Sequence, residues 1–112
     1  MSVFLKAIDV INERGWVKGR YGHIQGPVCL IGACAVASDL EPGKFERSLA
    51  YDALFRATAT HAGEKHREYW LPHMYNDAST TTQEDIIDVL REAHAYECER
   101  VAQTEQSSAP PA

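Results

Sequence analysis

The sequence predicts an all-α domain, on three observations. Apolar residues recur at helical spacing in three segments, one further apolar run is uniform enough to be buried on most sides, and glycine, proline and Asn-Asp signals fall between these segments. Together they predict a compact bundle of four principal helices, with an irregular glycine-rich loop and a disordered C-terminal tail. One domain is expected over residues 1–103, and the tail over 104–112. A chain of 112 residues buries roughly two-thirds of its unfolded surface, so a core without covalent staples is feasible.

The first helix is expected from a Ser2 cap to about Arg14. Leu5, Ile8 and Ile11, with Phe4 and Ala7, form its apolar stripe, and Gly15 stands where a left-handed cap would end it. Residues 15–26 read G-W-V-K-G-R-Y-G-H-I-Q-G, a glycine density that favours turns or a short irregular hairpin. Pro27 occupies a favoured first helical position ahead of the run Val28–Ala37, which reads as a central buried helix with a buried strand as the competing assignment. A third helix is expected over about 45–61, with Phe45, Leu49, Ala53 and Leu54 inward. Residues 62–81 carry turn signals, and Tyr69, Trp70, Leu71, Met74 and Tyr75 are expected to fold that loop onto the core. The last helix starts near Thr82, where Thr82 with Asp85, or Thr81 with Glu84, has capping spacing. Its buried stripe is Ile86, Leu90, Ala93 and Val101, flanked by Ile87, Val89 and Ala95. From Thr104 the tail lacks apolar anchors.

Charge and composition exclude several classes. The formal charge is −5, and residues 80–105 alone hold seven acids and two bases. Such a chain repels phosphates and is a poor general binder of nucleic acid. No run approaches the roughly 18 apolar residues of a membrane span. Lys6, Asp9 and Glu13 interrupt the N-terminal apolar residues, so they do not read as a leader. Three cysteines cannot all pair within the chain, which suits a reducing cytoplasm.

The residues that can carry chemistry are few. His94 and Cys98, four apart on a helix, can face one ion, but two ligands do not make a site, so neither a metal nor a cofactor is expected. His61 and His66 are five apart on different faces, and His73 joins only through tertiary folding. Cys29 and Cys34 lie in an apolar run without C-x-x-C spacing, where thiols stay protonated and inert, so no catalytic residue is assigned. Arg14, Lys18 and Arg20 in the glycine-rich segment can bind an anion through exposed amides and charge, with Asn76 and Asp77 as the other polar pair. The spacing matches neither a Walker loop nor a dinucleotide fingerprint, and Asn-Asp before a helix is ordinarily turn chemistry.

R-G-W at 14–16, Gly19, Tyr21 and C-L-I-G-A at 29–33 resemble the front of a small uncharacterised domain that recurs in actinobacteria and their bacteriophages. Its back half carries W-N-D, a linker, a threonine and an acidic amphipathic helix, which Tyr75-Asn76-Asp77 and Thr82–Ala93 resemble, with tyrosine replacing tryptophan. The resemblance covers about residues 3–95, and its recurrent positions fall here on Arg14, Gly15, Trp16, Cys29, Gly32, Asn76, Asp77 and Thr82. It implies a mostly helical domain in a phage or prophage context and carries no catalytic residue. The function expected is therefore non-enzymatic: a small protein of the (host) cytoplasm acting through protein contacts. Its recognition surface would be the acidic last helix, with Glu84, Asp85, Asp88 and Glu92 facing a host protein with a basic surface. The alternative is a small ligand-binding, nucleotide-binding or catalytic domain that uses the Arg14–Gly26 loop with Asn76 and Asp77.

Overall fold

A computed structural model describes residues 2–19 and 26–107, and only the backbone of 101–107. Its helices are α1 (Val3–Arg14), α2 (Leu30–Ser38), α3 (Pro42–Glu46), α4 (Ala50–Ala62), α5 (Pro72–Asp77) and α6 (Gln83–Ser107), with a 3₁₀ segment at Glu64–Tyr69 between α4 and α5. Among the described residues there is no strand, and the all-α expectation holds. The four long helices, α1, α2, α4 and α6, correspond to the four expected, α2 from its uniform apolar run and the other three from periodicity.

Helix α2 explains the layout. Leu30 to Ala35 are all buried, as the uniform apolar run requires, because a helix without a polar face has none to give to water. α1 packs against α2 and α6, α4 lies along α6, and α3 and α5 close over α2. The largest side chains of the core are Phe4, Ile11, Leu30, Ile31, Phe45, Leu54, Ile86 and Leu90, each with essentially no exposure. Phe45 meets Tyr51 edge-on at 6.3 Å.

Four local expectations change. α2 begins at Leu30 rather than Pro27, because Val28 instead exchanges backbone hydrogen bonds with Gly15 and Val17 in an isolated parallel bridge to Trp16. The expected single helix over 45–61 is two. Ser48 turns its hydroxyl onto the Phe45 carbonyl at 2.6 Å and its amide onto the same oxygen, taking the acceptor a continuing helix would use. Leu49 therefore leaves the inward stripe and is 77% exposed. Residues 62–81 contain helical turns, in which Tyr75 packs on the core while Leu71 and Met74 stay exposed. Gly15 ends α1 at φ 90° and ψ 170°, a mirror-extended conformation rather than the left-handed helical one, so the chain passes directly into the extended Trp16 segment.

Residues 20–25 of the glycine-rich segment, Arg20 among them, lie outside the described residues. α6 runs through 103 to Ser107, and residues 108–112 lie outside the described residues.

Candidate functional site

The residues that the sequence marks as unusual converge where the C-terminus of α1, the N-terminus of α2 and the C-terminus of α5 meet. Asn76 is the centre. Its Oδ1 accepts from the Trp16 indole Nε1 at 2.6 Å and from the Leu30 amide at 3.0 Å. Its Nδ2 donates to the Val17 carbonyl at 3.1 Å and to Asp77 Oδ1 at 3.0 Å. Two acceptor and two donor positions are thus all filled, which is what a buried carboxamide needs.

Each neighbour extends the clasp. Leu30 is the first residue of α2, so Asn76 supplies a partner for an amide that the helix cannot satisfy itself. Cys29 is the N-cap of α2, and its sulfur accepts from the Gly32 amide at 3.2 Å. Asp77 Oδ1 also accepts from the Gly19 amide at 2.7 Å, pinning the glycine-rich loop. Lys18 Nζ donates to the carbonyls of Ala78 at 2.7 Å and Ser79 at 3.4 Å, a cation set on the C-terminal end of α5. The same ammonium lies 5.4 Å from the Trp16 ring centroid. Arg14 Nε donates to the Gly26 carbonyl at 2.9 Å, closing the base of the loop.

Of the five residues proposed for ligand binding, Lys18, Asn76 and Asp77 are therefore brought together, while Arg14 holds the far side of the loop. Their polar atoms form internal hydrogen bonds. The indole N–H of Trp16 is a hydrogen-bond donor across 60 residues of chain. No local spacing signals such a pair.

The acidic helix begins as predicted. Thr82 N–H donates to Asp85 Oδ2 at 2.9 Å, and the Asp85 amide donates to Thr82 Oγ1 at 3.3 Å, the reciprocal capping pair. Asp88 is 3.4 Å from Arg91, and Glu84 is exposed. Glu92 bridges α6 to α4: it accepts from Tyr96 Oη at 2.7 Å and meets His61 Nε2 at 2.6 Å. Tyr96 also meets Thr60 Oγ1 at 3.1 Å, and the Arg56 guanidinium lies 4.1 Å from its ring centroid. This inter-helix network was not read from the sequence, although the Glu92–Tyr96 spacing of four is its local trace. Beside it, Asp52, Ala53, Arg56, Tyr96, Glu99 and Arg100 line an open groove of about 310 Å³ with both signs of charge.

Burial pushes the thiols of Cys29 and Cys34 up from the ordinary cysteine range, with Asp77 adding to the effect at Cys29, and Cys29 and Glu97 adding to it at Cys34. Both stay protonated at neutral pH and are poor nucleophiles. Burial also raises the Tyr75 phenol, and nearby Asp85 and Asp88 add to that effect. Among the described residues no three His, Cys, Asp or Glu side chains converge to hold a metal ion.

No curated protein and no solved structure matches the chain. A family model does, described as a family of unknown function, DUF6197. The match runs over residues 2–96, taking in α1 to α5, the whole clasp and the first half of α6. By that match, the chain belongs to the DUF6197 family.

Proposed function

We propose that this domain acts through protein–protein contacts rather than catalysis, as a cytoplasmic accessory factor of phage or prophage origin that engages a host component with a basic surface. One observation carries the reading. The polar groups with the most catalytic look, Lys18, Asn76 and Asp77, are taken up by hydrogen bonds inside the fold, whereas α6 presents an acid-rich face on a regular helix. Three free cysteines, two of them buried, support a reducing compartment. Among the described residues no helix is long and apolar enough to cross a membrane.

The test compares capture of host cytoplasmic protein by the wild-type chain and by Glu84→Lys/Asp88→Lys. A stoichiometric partner held by wild type, released by salt and lost with the charge reversal, is the expected result. A capture profile unchanged by the reversal would remove α6 as the recognition surface. The second reading, a ligand or nucleotide site at the Arg14–Gly26 loop with Asn76 and Asp77, draws on the convergence of Lys18 and Asp77 at Gly19. It requires a saturable thermal shift with phosphate or nucleotides that disappears in Lys18→Ala.

A further inference from the structure

We infer that the groove between α4 and α6 binds a small zwitterion whose ammonium and carboxylate lie about one helical turn apart, as in an ω-amino acid. Ala53, the small buried residue of its lining, leaves room beside Tyr96, and the groove encloses about 310 Å³. That is the low end of the roughly 300–1,000 Å³ of small-ligand pockets. One wall is held in place from behind. The Tyr96 hydroxyl is fixed by Glu92 at 2.7 Å and Thr60 at 3.1 Å, so the ring is a steady platform, and the Arg56 guanidinium lies over it at 4.1 Å from the centroid. A guanidinium set over a ring keeps its in-plane N–H donors for another partner, and their fork matches a carboxylate.

The remaining lining residues set the charges of the ligand. Asp52 precedes Arg56 by one turn of α4, a spacing of about 5–6 Å between Cβ atoms, and Glu99 and Arg100 line the same groove from α6. Asp52 and Arg56 do not pair with each other, because the guanidinium is drawn onto the Tyr96 ring instead. Asp52, Arg56 and Glu99 are all exposed, so a ligand reaches them without unfolding. Arg100 donates to the Leu49 carbonyl at 3.3 Å and ties α6 to the start of α4. Two acids and two bases cancel, so a simple anion is opposed by Asp52 and Glu99, and a simple cation by Arg56 and Arg100. A ligand of both signs satisfies the groove, with its carboxylate on Arg56 and its ammonium on Asp52 and Glu99. Glu84 and Asp88 take no part in this lining, and neither does the Arg14–Gly26 loop, so the inference does not depend on either reading given above.

The probe is 4-aminobutyrate, added to the full chain, with butyrate and butylamine as its single-charge halves. NMR follows the Tyr96 ring protons and the Arg56 Nε–H. The expected result is a saturable shift of both signals at millimolar 4-aminobutyrate, with each half binding about tenfold more weakly or worse. Arg56→Lys keeps the charge but loses the planar fork, and Asp52→Asn removes a partner of the ammonium. Each should weaken binding about tenfold, read at the Tyr96 ring. Helicity and melting temperature should stay at their wild-type values in both variants, because both side chains lie on the surface. Butyrate binding as tightly as 4-aminobutyrate would reduce the groove to a general anion site and overturn the inference. No shift at millimolar 4-aminobutyrate, or a shift undiminished in Arg56→Lys, would overturn it as well.

Discussion

The carboxamide of Asn76 accepts from two donors and donates to two acceptors, and three of those partners lie on the loop between α1 and α2 or at the start of α2. Asn76→Ala strands the Leu30 amide, the Trp16 indole N–H and the Val17 carbonyl together. It should destabilise the fold by about 2–4 kcal/mol, since each buried group left unpaired costs about 1–3 kcal/mol and the effects overlap. Trp16→Phe removes only the indole donor and keeps an aromatic ring, so its cost should be about 1 kcal/mol. Urea unfolding at constant slope measures both. Equal losses for the two variants would show that ring packing, not the carboxamide, holds the clasp. Residues such as these were legible only where partners are close in sequence. Thr82 and Asp85 announce their pairing through a spacing of three, whereas Trp16, on the segment after α1, and Asn76, in α5, are brought together only by the packing of the helices. Lys18 likewise carries no local sign of its partners, the carbonyls of Ala78 and Ser79.

At the scale of elements, the sequence was read well where one force decides. The stripe of α1, the uniform apolar α2 and the capped start of α6 all appear where hydrophobic pattern and local hydrogen bonding agree. The reading failed between 45 and 50, where the apolar stripe continues through Leu49 but Ser48 captures the Phe45 carbonyl and divides the helix. Glycines make a sharp contrast within this scale. At Gly15 the backbone holds φ 90° and ψ 170°, and an added Cβ would meet Pro27 at an unremarkable 3.8 Å. The difficulty there is the backbone, not space, so Gly15→Ala should cost about 1–3 kcal/mol. Gly43 sits within α3, with ordinary backbone and open space around its Cα. Gly43→Ala should be neutral or stabilising by up to about 1 kcal/mol. Thermal melts of the two variants should move in opposite directions, and a Gly15→Ala melt no lower than wild type would refute the strained-terminus account.

Taken as a whole, the molecule is a helical core whose interior was largely visible in its hydrophobic pattern. The arrangement around Asn76 was not, because it is long-range, polar and built from single residues. That difference in range has a kinetic side. The hydrogen bonds that tie the loop after α1 and the start of α2 to the end of α5 join positions 46 to 61 residues apart, among them Leu30 to Asn76 and Lys18 to Ser79. Closing a loop of that length costs entropy that a few hydrogen bonds do not return until α2, α4 and α6 have already assembled around their apolar faces. The clasp should then form after the main folding barrier, contributing little to the transition state. In stopped-flow experiments Asn76→Ala should leave the refolding rate within about twofold of wild type and put nearly all of its lost stability into faster unfolding. Slower refolding with an unchanged unfolding rate would instead make the clasp part of the nucleus. On the expected outcome, the junction that gathers these polar residues sets how long the folded state lasts rather than how quickly it is reached.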